Sequence, residues 1–119
     1  MLSVNALYHR AEAIERLGGD DALYVSVASL FIESSAGYCA ALEAAVRAAD
    51  MAALRREAHT VKSMLATFSY EAGRLLALRL EELAASGNFD GAQALTDELV
   101  AAVKRLVAAL ATEGASGAT

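Results

Sequence analysis

The sequence contains no proline in its 119 residues, and this feature constrains the fold more than any other. Proline is the residue that most strongly interrupts a helix, because it lacks a backbone N–H and clashes with the preceding turn. The chain is also rich in Ala, Leu, Glu and Arg, which favour helix, and it has no Trp and only 6 % aromatic residues. We therefore predict an all-α fold, in one domain because the length suits a single core.

Apolar periodicity divides the chain into helices. Gly18 and Gly19 end a first short helix over roughly residues 4–17, and Asp20 or Asp21 caps a second that runs to about Ala49. Along the second helix, residues recur at spacings of three, four and multiples of these, namely Leu23, Val27, Leu30, Phe31, Ser34, Tyr38, Leu42 and Val46. After Asp50, a third helix has a stripe of Leu54, Ala58, Val61, Leu65 and Phe68.

Two more helices follow. A fourth contains Leu76, Leu80 and Leu83, and a fifth begins after Asp90 as N-cap, with Leu95, Leu99, Val103, Leu106 and Leu110 on one face. Short turns between long helices favour an antiparallel up-and-down four-helix bundle with an additional short N-terminal helix. The domain is predicted over residues 1–111, and the small and polar residues 112–119 predict a disordered tail.

Charge and composition exclude several classes of function. The net charge of −5 provides no positive field for nucleic acid. No apolar run approaches the ~20 residues that span a bilayer, and no secretory signal is visible, so we expect a cytoplasmic protein without a membrane partner. The single cysteine, Cys39, cannot form an internal disulfide and is predicted to be a small packed residue.

The direction of His59 is set by the third helix. Each residue turns about 100° around the helix axis, so the apolar stripe is centred about 150° away from His59 and the imidazole points outward. Five residues lie within about 60° of it, namely three cations and two small side chains: Arg55, Arg56, Lys62, Ser63 and Ala66. Cationic neighbours favour a neutral, nucleophilic imidazole and stabilise an incoming phosphoryl dianion. The residues alone leave open whether this is a phosphoacceptor or an ordinary solvated face.

The segment Ala58-His59-Thr60-Val61-Lys62-Ser63 resembles the A-H-x-hydrophobic-K-G motif of histidine-containing phosphotransfer (HPt) domains. The similarity extends along most of the chain, through Arg16-Leu17-Gly18-Gly19-Asp20, Phe31, Leu42 with Ala45 and Asp50, Leu80-Glu81 and the turn from Gly87 to Asp90. H-x-x-K alone is a weak signal, whereas the motif within this order of helices is a specific one.

The resemblance implies a phosphocarrier without kinase activity of its own. His59 would be the phosphoacceptor and Lys62 would steady the phosphoryl charge. Exposed apolar residues beside the histidine would form the docking surface, with the N-terminal helix contributing, and we expect Arg55, Arg56, Ser63 and Ala66 to contact the docked partner. The implied partners are response-regulator receiver domains and a hybrid sensor histidine kinase, which would exchange the phosphoryl group in a phosphorelay. No cofactor is expected on this chain, since Mg²⁺ belongs to the receiver.

Several positions depart from the family pattern. Ser63 replaces the glycine after the lysine and is followed by Met64 and Leu65 instead of small residues. Further on, Phe68-Ser69-Tyr70 replaces L-G-A, and Gly73 takes a usually apolar position. Because of these changes an alternative stays open, in which the chain is a degenerate HPt module that binds receivers or acts as a scaffold without phosphotransfer.

A metal-carrying bundle is the main alternative from another class. Di-iron bundles use Glu-x-x-His pairs, but Arg56 and Ala6 occupy the positions three before the two histidines. No metal site is therefore predicted, and His9 is interpreted as a surface or rim residue.

Overall fold

A computed structural model describes residues 7–117, with side chains to Glu113. The described chain forms five helices: α1 (Arg10–Arg16), α2 (Asp21–Arg47), α3 (Met51–Thr67), α4 (Glu71–Ala85) and α5 (Ala92–Gly117). The four long helices contact one another in sequence, α2 with α3, α3 with α4 and α4 with α5, and α2 closes the ring against α5. This confirms the predicted all-α bundle with an additional N-terminal helix.

The helix starts follow the predicted caps in two of three cases. The Asp20 and Asp50 carboxylates each accept a backbone N–H at 3.0 Å, from Leu23 and Ala53. Asp90 was expected to cap α5, and this was wrong. The Gly91 carbonyl accepts the first helical bond from Leu95 at 3.0 Å, and Gly91 has a φ of 83° that a β-carbon disfavours.

The first helix is shorter than predicted. α1 begins at Arg10, whereas the sequence suggested a start near residue 4, and residues 4–6 lie outside the described part of the chain. The backbone at His9 is extended, and its N–H donates to the Phe68 carbonyl at 3.1 Å. A tertiary hydrogen bond has therefore replaced the helical one at this point.

The core confirms the predicted stripe of α3 and corrects that of α2. All five stripe residues, Leu54 to Phe68, are buried. On α2, however, Leu23 and Leu30 are 43 % and 63 % exposed, and the smaller Ala28 packs inside with Tyr24. The buried face of α2 is rotated because it must contact both α3 and α5, which a pattern within one helix does not reveal.

The C-terminal end of α5 also differs from expectation. The disordered tail was predicted from Thr112, but α5 continues to Gly117, and only residues 118–119 of the predicted tail lie outside the described chain. Glu113 accepts hydrogen bonds from Tyr8, Arg10 and Tyr24. These contacts hold this part of α5 against the start of the chain.

Cys39, the single cysteine, lies on α2. Cys39 is buried, as predicted for a small packed residue, and burial raises the pKa of its thiol, which disfavours the reactive thiolate.

By length and composition alone, α2 could cross a membrane. Because its Tyr24, Phe31 and Leu42 are packed in the bundle core, the same composition is also that of a core helix.

The turn between α3 and α4 accommodates the unusual Phe68-Ser69-Tyr70 sequence. Ser69 adopts a left-handed φ of 55°, and the N–H groups of Ser69 and Tyr70 donate to the Ala66 and Leu65 carbonyls at 3.0 Å each. This is a Schellman ending, in which glycine is the usual left-handed residue. Arg16 donates to the Ser69 hydroxyl, so the serine links α1 to the end of α3.

Gly73 compensates for the large Tyr70. The Tyr70 ring is buried, and a β-carbon at position 73 would lie 3.0 Å from two of its ring carbons and 2.9 Å from Leu65 Cδ1. The aromatic ring thus fills space that a side chain at 73 would otherwise occupy. Tyr70 and Gly73 are therefore sterically coupled in this chain.

We predict that Gly73→Ala lowers the free energy of unfolding, although alanine favours helix by about 1 kcal/mol. Overpacking against Tyr70 and Leu65 costs about 1–3 kcal/mol, which outweighs that gain. Urea denaturation measures the difference. The matched control is Gly37→Ala on α2, where nothing lies within 4 Å of the new β-carbon and the protein should become more stable. Equal stabilisation by both changes would contradict the packing of Tyr70.

Candidate functional site

His59 lies near the middle of α3 with its side chain directed to solvent. The imidazole is 59 % exposed, because α3 turns its apolar stripe, including Ala58 and Leu65, into the core. This is the direction given by the helical wheel. The ring is therefore accessible to another protein while its backbone is fixed within a long helix.

The neighbouring helix α4 provides a carboxylate that orients the ring. Nδ1 of His59 lies 2.9 Å from Glu81 Oε2. An ionised carboxylate has no hydrogen to donate, so the neutral imidazole makes this bond only as the Nδ1–H tautomer. Nε2 then has the lone pair, and it has no hydrogen-bond partner within residues 7–113.

Lys62 is linked to the same carboxylate. Its Nζ lies 2.6 Å from Glu81 Oε1, and the Glu81 side chain is only 17 % exposed. The ion pair with the Lys62 ammonium, more than the hydrogen bond from His59, holds the pKa of the Glu81 carboxyl below its usual range. Glu81 therefore stays ionised wherever His59 is neutral, and the three side chains form one network.

Arg55 and Arg56 lie on the N-terminal side of His59. Both are exposed, and with Ala52, Thr60 and Glu81 they line a shallow depression beside the imidazole. Neither forms a salt bridge with a described side chain. The structure thus places two unneutralised cations beside His59, as the wheel suggested, whereas the third cation, Lys62, is paired.

Ser63 and Ala66 continue the same face towards the C-terminal end of α3. The Ser63 hydroxyl donates to the His59 carbonyl at 3.2 Å, so it is satisfied by the backbone and adds little bulk at the surface. Ala66 is half-buried and borders a polar groove formed with α1 and the start of α4. His9 is exposed and lies in that groove, apart from the network around His59.

Sequence reasoning missed the contribution of Glu81. A wheel of α3 shows cations and small residues around His59 but no acidic residue, since the carboxylate belongs to another helix. The Leu80-Glu81 pair matched the family pattern, but nothing in the sequence showed which atom Glu81 contacts. Antiparallel packing of α4 on α3 brings the two together.

Metal ligation has no visible site in the part of the chain that the structure describes. No group of three or more His, Cys, Asp or Glu side chains there is close enough to hold an ion.

Comparisons with known proteins address the fold and the family. The sequence model of the Hpt domain matches residues 26–113. The crystal structure of histidine-containing phosphotransfer protein B (HptB) from Pseudomonas aeruginosa PAO1 is similar, with a TM-score of 0.83 and 21 % identity over 92 % of this chain and 95 % of that chain. No curated protein matches the sequence. The structural likeness supports the bundle fold, and the family match extends from α2 to Glu113.

We predict that neutral His59 is predominantly the Nδ1–H tautomer, the opposite of the form that free histidine prefers. Imidazole ¹⁵N chemical shifts measured above the titration of the ring distinguish the two nitrogens. In Glu81→Ala, which removes the acceptor, His59 should revert to the Nε2–H tautomer, while His9 should be unaffected in both proteins. An Nε2–H tautomer in the unmodified protein would contradict the role assigned to Glu81.

Proposed function

The chain belongs to the Hpt domain family, and from that premise we propose that it carries a phosphoryl group on His59 between receiver domains of a phosphorelay. The observation that supports this most directly is the bond between Nδ1 and Glu81 at 2.9 Å. It fixes the ring and leaves the Nε2 lone pair on the solvent side, where a phospho-aspartate can approach. In this proposal the chain supplies a nucleophile in a fixed position, and the receiver supplies Mg²⁺.

The proposed transfer is an in-line displacement at phosphorus. The Nε2 lone pair forms the N–P bond as the bond between phosphorus and the aspartate oxygen breaks, and the electron pair of that bond stays on the aspartate carboxylate. The imidazole gains positive charge while Nδ1 keeps its proton. The Nδ1–H bond to Glu81 strengthens as this charge develops, because its acceptor is ionised. Attack on phosphorus by the aspartate of a second receiver reverses these steps.

Lys62 has two roles in this proposal. Its ammonium keeps Glu81 ionised through their 2.6 Å contact, and it supplies positive charge next to the group that receives a dianion. Because Lys62 already interacts with Glu81, its effect on transfer depends on both partners. We assign it as a charge-stabilising residue that forms no bond to phosphorus.

The surface around His59 suits receiver docking. Arg55 and Arg56 are exposed cations that complement the acidic, Mg²⁺-binding pocket of a receiver and speed encounter. On the C-terminal side of the imidazole, Ser63 and Ala66 have small side chains that leave room for a receiver to approach. In this proposal the partners are receivers and a hybrid sensor histidine kinase in the cytoplasm, and the chain is a phosphocarrier without kinase activity.

The alternative function is a module that binds receivers without accepting phosphate. The complete network of His59, Lys62 and Glu81 favours phosphotransfer, since a scaffold has no need of an imidazole held in one orientation. Ser63 was the main departure that supported the alternative. Its hydroxyl bonds to the backbone and leaves the network intact.

We predict that His59→Gln abolishes uptake of acid-labile phosphate from a phosphorylated receiver, because it removes the nucleophile. The melting temperature should hardly change, since the side chain is exposed. Incubation with phosphorylated receivers from the same source, followed by phosphate analysis under acid and alkali, gives the measurement. His9→Gln, which changes the other histidine, is the matched control and should still accept acid-labile phosphate. Acid-labile phosphate on the His59 variant would refute the acceptor, and receiver binding without any transfer would favour the scaffold.

We predict that Ser63→Leu slows transfer from protein donors by tenfold or more, equivalent to about 1.4 kcal/mol, by obstructing approach to Nε2. Labelling by phosphoramidate, a small donor, should change much less. Ser26→Leu makes the same substitution on the exposed face of α2 and should leave both reactions unchanged. Equal rates for Ser63→Leu and Ser26→Leu would remove Ser63 from the docking surface.

A further inference from the structure

Helix α1 depends on tertiary contacts for its position. With seven residues, it is too short to be stable alone. Two contacts attach it to the end of the helix that contains His59: the His9 N–H donates to the Phe68 carbonyl at 3.1 Å, and Arg16 donates to the Ser69 hydroxyl. Both acceptors directly follow α3, so α1 lies beside the C-terminal end of α3.

A third contact attaches the start of α1 to the end of α5. The Glu113 carboxylate accepts hydrogen bonds from Arg10 Nη1 at 2.7 Å, from the Tyr24 hydroxyl at 2.9 Å and from the Tyr8 hydroxyl. The Arg10 guanidinium also lies 5.0 Å from the centre of the Tyr24 ring. Burial, with the Glu113 carboxylate, raises the pKa of Tyr8 to about 12, so the phenol remains a donor at neutral pH. One carboxylate thus joins α5, α2 and the N-terminal segment.

The position of α1 determines the shape of the surface next to Ala66. His9 and Arg16 on the α1 side, and Arg74 on the α4 side, line a polar groove with Ala66. Ala66 is seven residues from His59, which is about 10 Å along the helix. A receiver that buries about 800 Å² of this chain covers a patch about 30 Å across. A partner docked on His59 therefore also covers this groove.

We propose that Glu113 is a positioning residue for receiver docking, holding α1 in place as one wall of the surface that contacts the receiver. This inference rests on the receiver binding in the proposed function and adds a residue at the far end of α5. Loss of the carboxylate releases Arg10 and the two phenols, so the start of α1 loosens and the groove loses its shape. The network of His59, Lys62 and Glu81 shares no hydrogen bond with Glu113 and keeps its reactivity.

The experiment compares Glu113→Gln with Glu98→Gln, a matched change at an exposed carboxylate of α5 that has no hydrogen bond or salt bridge within the described chain. Receiver affinity is measured by calorimetry with an unphosphorylated receiver, and phosphoramidate labelling reports the reactivity of His59. Amide hydrogen exchange reports the opening of α1. Only Glu113→Gln should weaken receiver binding several-fold and speed α1 exchange about tenfold, as expected for lost charge-assisted bonds. Labelling should be equal in all proteins.

Arg10→Ala provides a second variant if Glu113→Gln destabilises the bundle, since Arg10 is exposed at the surface and the phenols still hold Glu113. Arg10→Ala should also weaken receiver binding and speed exchange in α1, by smaller factors, and leave labelling unchanged. Unchanged receiver affinity in both variants would overturn the proposal, as would unchanged exchange in α1. A wild-type protein that binds receivers but takes no phosphate would contradict the proposed phosphotransfer, while the affinity comparison would still decide the role of Glu113.

Discussion

The close antiparallel packing of α4 on α3 is the contact on which the site depends. Ala58 on α3 and Ala77 and Gly73 on α4 are small and buried. A β-carbon at position 73 would lie 2.9 Å from Leu65 Cδ1 of α3, so the two helices pack closely there. That approach brings Glu81 to His59. A wider separation would leave the imidazole exposed but free to rotate and to take either tautomer. The packing of small side chains therefore determines the chemistry of a residue that is itself on the surface.

Charge is arranged in this acidic protein so that the site remains cationic on one side. Glu81 neutralises Lys62 at 2.6 Å, while Arg55 and Arg56 remain without acidic partners among the described side chains. The Lys62–Glu81 pair and the two exposed arginines thus act over different distances. The internal pair fixes the carboxylate that contacts His59. In the proposed function, the exposed arginines act over longer distances on an approaching receiver.

Most helices could be predicted because their signals are local. The caps at Asp20 and Asp50, and the spacing of apolar residues on α3, depend on side chains within a few residues of one another. Two of the errors occurred where a distant contact competes with a local preference. His9 leaves the helix to bond with Phe68, and Leu30 is outside because two neighbouring helices determine which face of α2 is buried.

The sequence by itself determined that the chain is helical, that His59 points outward from α3, and that the motif resembles the family to which the chain belongs. These follow from propensity, from a fixed rotation per residue and from adjacent residues. Only the tertiary structure decided which carboxylate orients the imidazole and how α1 is attached through Glu113. Those contacts join residues 22 and 103 positions apart, and their geometry depends on how whole helices pack, which no pattern within one helix encodes.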